Sequence, residues 1–292
     1  MSRFHGVRRT SLRAHAAVAL LAWCGALAGC ASLPGTARLD SGGARQAYAL
    51  AGEGAPVVVF EAGLGNVKEI WESVFVPVSG FTRAIAYDRS GYGGSRGGGA
   101  SRDGATIVAE LRTLLLSLDL PPPYVLVGHS LGGQFVELYA RTHPDEVAGV
   151  VLVDARHVDF SERCVVEQVE RCGLPVFTRM LMPRGARAEL RAASRTEEQI
   201  RAAGPFPDVP LRVLTATQRP ESMPNLRRVW AETQADLTDL SERSQQEICD
   251  SCGHYIQRDA PERVVEAIRA VIDDGGRRVD VSSSRIARSA RR

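Results

Sequence analysis

The feature that most constrains this chain is Gly128-His129-Ser130-Leu131-Gly132-Gly133, set between an apolar run and a helical pattern. A Gly-x-Ser-x-Gly match says little by itself in a chain with 28 glycines. Its context says more. Residues 124–127 read as a buried strand, and residues 130–141 read as a helix. A strand that turns straight into a helix strains the residue at the corner, and flanking glycines keep side chains clear of it. The serine hydroxyl then projects at the top of the sheet, beside a helix N-terminus whose dipole favours developing negative charge. The plain alternative is a glycine-rich turn without chemistry.

The surrounding rhythm is strand, helix, strand. Pro56-Val57-Val58-Val59-Phe60 and residues 83–87 read as strands. Residues 105–118 place Ile107, Val108, Leu111, Leu114 and Leu115 on one helical side, and Pro121-Pro122-Pro123 ends the pattern. Residues 148–153 form another apolar run, with weaker candidates at 211–214 and 247–249. Residues 261–272 read as a final helix that begins with proline. Continuous apolar strands between helices predict an α/β fold, with a mostly parallel sheet covered on both faces. Residues 157–208 break the rhythm with many charges and an apolar patch of Val176, Phe177, Met180, Leu181 and Met182. An insertion of this length after a strand is expected to form a lid over the strand ends; the alternative is a surface insertion that only packs.

With these elements in place, the chain resembles the α/β-hydrolase superfamily from about residue 45 to residue 274. Besides the serine turn, the resemblance rests on Glu61-Ala62-Gly63-Leu64-Gly65, on Ala86-Tyr87-Asp88-Arg89-Ser90-Gly91-Tyr92-Gly93-Gly94-Ser95, and on Gly253-His254 before the last helix. It implies a serine hydrolase, carboxylesterase-like, acting on a small-molecule acyl substrate with no cofactor and no metal. Amide, peptide or thioester hydrolysis and acyl transfer on the same scaffold remain open, as does a binding module without catalysis.

A serine nucleophile needs a histidine base and an acid that orients it. His5 and His15 fall in the N-terminal leader, His129 neighbours the serine, and His143 precedes Pro144 at the end of the helix. His157 is the rival, but His254 matches the family's base in position and surroundings. For the acid, Asp154 directly follows the strand Val150-Val151-Leu152-Val153, whereas Glu221 follows the strand after the insertion. Asp154 is the expected partner, with Glu221 as its alternative. The family's oxyanion donors are backbone N–H groups, which here fall on Leu131 and, from the first glycine-rich loop, on Leu64. Asp88 is expected to brace loops near the site.

The first 29 residues carry Arg3, Arg8, Arg9 and Arg13 with no acid, followed by an apolar run over residues 14–28. That pattern predicts an export signal, since the run is shorter than the roughly 20 apolar residues a span requires; an uncleaved anchor is the alternative. Leu27-Ala28-Gly29-Cys30 resembles the bacterial lipobox. The resemblance implies lipidation of Cys30, attachment to a membrane surface and a place in the bacterial cell envelope. Residues 30–44 are then a lipidated N-terminus and tether, residues 45–275 the hydrolase domain, and residues 276–292 a basic, disordered tail. The chain's net charge is +2, but the leader contributes +4 and the tail +5, leaving the body at about −7. Such a body offers no basic face for nucleic acid. Export makes disulfides among Cys164, Cys172, Cys249 and Cys252 the expected state. Local pairing is one of three connectivities. Zinc on Cys249 and Cys252, or free buried thiols, are the alternatives.

Overall fold

A computed structural model describes residues 32–41, 44–97, 101–169, 172 and 176–289 of the chain. The predicted leader at 1–29 and the lipidation site Cys30 lie outside the described residues. Among the described residues, no helix is long and apolar enough to cross a membrane.

Eight strands form one sheet: β1 (Thr36–Ser41), β2 (Ala44–Ala51), β3 (Val57–Glu61), β4 (Ala84–Tyr87), β5 (Tyr124–His129), β6 (Val147–Val153), β7 (Leu211–Ala216) and β8 (Ser244–Cys249). Their order is β1-β2-β4-β3-β5-β6-β7-β8. β1 pairs antiparallel with β2, and β2 with β4; every other pairing is parallel.

Parallel strands need crossovers, and the helices supply them. They are α1 (Glu72–Ser79), α2 (Gly104–Ser117), α3 (Leu131–Thr142), α4 (Phe160–Val166), α5 (Val176–Leu181), α6 (Arg184–Ala202), α7 (Pro224–Asp236), α8 (Ile256–Asp259) and α9 (Pro261–Ser289). The apolar strands feed two cores at once. In β5, Val125 and Val127 join a cluster with Phe60, Trp71, Phe75, Val264 and Ile268, on the α1 and α9 side. Tyr124 and Leu126 of the same strand join Leu111, Leu114, Val136 and Tyr139, on the α2 and α3 side. Side chains alternate across a strand, so a strand covered on both faces must be apolar at every position.

The strand and helix expectations hold with ends displaced by a few residues, and two differences have physical causes. The segment expected as a tether carries β1, which pairs with β2 from Thr36↔Ala49 to Ser41↔Ala44. An edge strand is half solvated, so its Thr, Arg and Asp content hides it from a hydrophobic pattern. The ordered domain therefore begins before residue 45. At the other end, α9 runs to Ser289, through the segment expected as a disordered tail. Its first half packs on the core and nucleates the helix; the continuation carries Gly275-Gly276 and Ser282-Ser283-Ser284, poor helix formers that hide it from the sequence pattern. Strand β2 and helices α1, α7 and α8 have no counterpart in the sequence pattern described above.

The insertion between β6 and β7 is helical, comprising α4, α5 and α6. Phe160, Cys164 and Val169 pack with Val229 and Trp230 of α7 in a small cluster of their own. Cys164 and Cys172 are bonded, as are Cys249 and Cys252. The local connectivity is thus the one adopted, and the two sulfurs of the Cys249 pair are not disposed as zinc ligands.

Candidate active site

Ser130 occupies the corner between β5 and α3 with φ 52° and ψ −122°. A non-glycine residue at such angles is strained by about 1–3 kcal/mol, which the surroundings must over-determine. The neighbouring glycines permit it by close packing. A Cβ on Gly132 would lie 2.5 Å from the Glu61 carbonyl oxygen, and one on Gly128 would lie 2.8 Å from that of Gly132.

His254 follows β8 on a loop fixed at several points. The Cys249–Cys252 bond closes its start. The Gly253 N–H donates to Asp259 Oδ2 at 2.7 Å, and the His254 carbonyl lies 2.8 Å from His129 Nε2. The His254 ring sits between the two other predicted residues. Its Nε2 is 3.0 Å from Ser130 Oγ, and its Nδ1 is 2.6 Å from Asp154 Oδ2.

Asp154 is fully buried at the end of β6, with φ 42°. Its Oδ1 accepts from Trp230 Nε1 at 2.9 Å and from the Ala216 N–H at 3.2 Å. Its Oδ2 accepts from Arg219 Nη2 as well as from His254. Burial pushes the carboxyl up, but the His254 hydrogen bond and the Arg219 charge outweigh it and hold Asp154 below its ordinary range. The alternative acid, Glu221, is exposed, and the carboxylate hydrogen-bonded to His254 is that of Asp154. His157 is buried, and its Nδ1 accepts from the Asp159 N–H at 3.1 Å.

Leu131 is the first residue of α3, so its N–H has no acceptor within the helix. Leu64 and Leu131 both line a cavity of about 880 Å³, together with Ser130 and His254. The loop carrying Leu64 backs onto the corner: a Cβ on Gly63 would lie 3.2 Å from Ser130 Cβ. Arg89 pins this loop, donating through Nη1 to the Ala62 carbonyl at 2.5 Å and through Nη2 to the Gly63 carbonyl at 3.1 Å. The same guanidinium pairs with Glu61 at 2.6 Å and with Glu189 of α6 at 2.7 Å, all three buried. Asp88 braces the neighbouring loops, accepting from the Lys68 N–H at 2.8 Å and the Gly94 N–H at 2.9 Å.

Four supporting residues escape sequence reasoning. His129 abuts the His254 ring, centroids 4.8 Å apart. Burial, then the nearby His254 charge, lowers its pKa to about 3. Neutral His129 therefore donates from Nε2 to the His254 carbonyl. Arg89 stands inside the motif that holds Asp88, which is the only signal it offers. Arg219 and Trp230 stack at 4.2 Å beside Asp154 and give no signal in the sequence.

Among the described residues, no cluster of three or more His, Cys, Asp or Glu is arranged to hold a metal ion. A family model described as the α/β hydrolase fold matches residues 56–169. The uncharacterized protein YqjL of Bacillus subtilis (strain 168) is 28% identical over 74% of this chain and 83% of its own length. A thermophilic esterase from Thermogutta terrifontis is 23% identical, with a TM-score of 0.57, over 82% of this chain and 98% of that one. A serine hydrolase involved in carbazole degradation is 22% identical, with a TM-score of 0.57 over the same shares. These likenesses and the sheet order show the α/β-hydrolase fold.

Proposed function

We propose that this α/β-hydrolase-fold chain is a serine hydrolase that cleaves a carboxylic ester through an acyl-enzyme on Ser130. The observation that carries the reading is the continuous line of hydrogen-bonding atoms from Asp154 through His254 to Ser130. In the first step, His254 Nε2 takes the proton from Ser130 Oγ, which attacks the ester carbonyl. The Leu131 and Leu64 N–H groups receive the oxyanion. The tetrahedral species collapses, the carbonyl–alkoxy bond breaks, and His254 returns the proton to the leaving alcohol. Water, deprotonated by His254, then attacks the acyl-enzyme and releases the acid and free Ser130. Asp154 stays ionised and holds the imidazole in the tautomer with Nδ1–H.

A fluorophosphonate probe tests this directly. Labelling should appear in the wild type and vanish in Ser130→Ala. Folded protein that shows no Ser130-dependent labelling would sink the reading. Matched ester, amide and thioester substrates then rank the acyl bond, with the ester expected to turn over fastest.

Residues 1–29 serve in this reading as an export signal, with Cys30 lipidated and the domain held at a bacterial membrane surface. The two disulfides support it, because such bonds persist in oxidising compartments. Cys30→Ser should release the protein from the membrane fraction; an unchanged distribution argues against the anchor.

A further inference from the structure

The cavity holds a cation that the proton relay does not use. Arg156 leaves β6 two residues after Asp154, and its N–H donates to the Ser130 carbonyl at 2.9 Å. The root of the side chain is thereby fixed to the reacting corner. Its guanidinium lies over Phe160, 5.4 Å from the ring centre, and between α4 and α6. Nη2 donates to Ser161 Oγ and, at a long 3.4 Å, to Glu197 Oε1. That same Glu197 oxygen already accepts from Ser161 at 2.6 Å. Nε has no acceptor, and among the described residues Nη1 has none either.

A guanidinium carries five N–H donors, and a buried charge left half-paired is costly. Burial lowers the Arg156 pKa, with Glu197 opposing it only in part. The side chain is nevertheless 22% exposed, and it lines the cavity. Among the described residues, three arginines line that cavity, Arg156, Arg179 and Arg219, and no acidic residue does. Arg219 is committed to Asp154, and Arg179 has an interaction of its own. Arg219 also keeps an Nε without an acceptor, but its charge is paired with Asp154, whereas among the described residues Arg156 has only Glu197, at a long 3.4 Å. Much of the remaining lining is apolar, including Val165, Val169, Leu190 and Leu226.

We infer that the substrate is an ester carrying a carboxylate on an apolar chain, and that Arg156 binds this carboxylate. The inference rests on the serine-hydrolase reading above. The uncommitted Nη1 is a cationic N–H donor, which suits a carboxylate oxygen. A phosphate dianion would call for a second cation without an ion pair, and the Arg219 charge is already paired with Asp154. Nη1 of Arg156 gains an acceptor when substrate binds, so part of the burial penalty becomes discrimination between substrates.

Matched ester pairs test the inference. p-Nitrophenyl hemiglutarate is compared with p-nitrophenyl pentanoate, placing the charge on the acyl side. 4-Carboxyphenyl butyrate is compared with phenyl butyrate, placing it on the alcohol side. In one pair the wild type should favour the charged member by about 10- to 100-fold in kcat/KM. Arg156→Gln should abolish that ratio, and Arg156→Lys should restore part of it. A strut that merely joined α4 to α6 would, when removed, depress both members alike and leave the ratio unchanged; that result overturns the inference. So does a wild type that prefers the neutral ester in both pairs while Ser130 still labels and neutral esters still turn over, and the hydrolase reading then survives. Absence of both turnover and labelling overturns the two together.

Discussion

Asp154 accepts four hydrogen bonds, from Ala216, Arg219, Trp230 and His254. Replacing it with Asn removes the charge and turns a donor toward His254, favouring the wrong tautomer. Asp154→Asn should lower kcat by about 10³- to 10⁴-fold, whereas Glu221→Gln should stay within about twofold, by steady-state ester hydrolysis. Equal, mild losses in both would remove Asp154 from the relay. His129 gives a stability prediction. Its folded pKa of about 3 lies below its ordinary value, so the unfolded chain takes up a proton first as pH falls. Stability is full above about pH 6.5 and declines below it, by up to about 1.4 kcal/mol per pH unit from this group. Burial also lowers the His157 pKa, which acts in the same direction. Asp154 behaves differently: its depressed pKa loses stability only as pH falls below about 4. Urea unfolding between pH 7 and 5 should show a shallower slope for His129→Asn than for the wild type. Ser130 and His254 were legible in the sequence because short, local patterns mark both. The acid was left between two candidates, because its choice depends on Arg219, Trp230 and Ala216, which converge on Asp154 only in three dimensions.

Among the elements, the link from α6 to the first glycine-rich loop matters most. Arg89 joins Glu61 at the end of β3, the carbonyls of Ala62 and Gly63, and Glu189 on the inserted helix α6. Arg89→Met would leave two buried carboxylates without a cation and the loop without its pin. It should cost about 3–5 kcal/mol in urea unfolding at pH 8, and it should lower kcat as well. The loss should be smaller at pH 5, because protonation relieves unpaired buried carboxylates; burial already raises the Glu61 pKa. A loss that does not change with pH would mean the cluster is held by packing. Arg89 and Glu189 are 100 residues apart, a pairing that no local pattern displays. The central strands were legible for the opposite reason: burial on both faces leaves an unbroken apolar run. β1 was not, since one side of an edge strand answers to water.

Across the whole molecule, the two disulfides tie chain segments that differ in burden. Cys164–Cys172 closes an eight-residue separation within the insertion, and Cys249–Cys252 closes three residues just before His254. Both loops are short, so the chain-entropy gain from each is modest. Non-reducing peptide mapping should recover these two crosslinks and no crossed pair. Reduction should then change activity mainly through the loop that carries His254. The sheet order was legible as a class but not as a sequence of neighbours, because register depends on pairings between distant segments. Ser130 also bears on the stability of the whole molecule. Its backbone angles would suit glycine without strain, so Ser130→Gly should unfold at higher urea than the wild type, by at most about 1–3 kcal/mol, the strain relieved. The corner holds one hydroxyl in place at the expense of global stability.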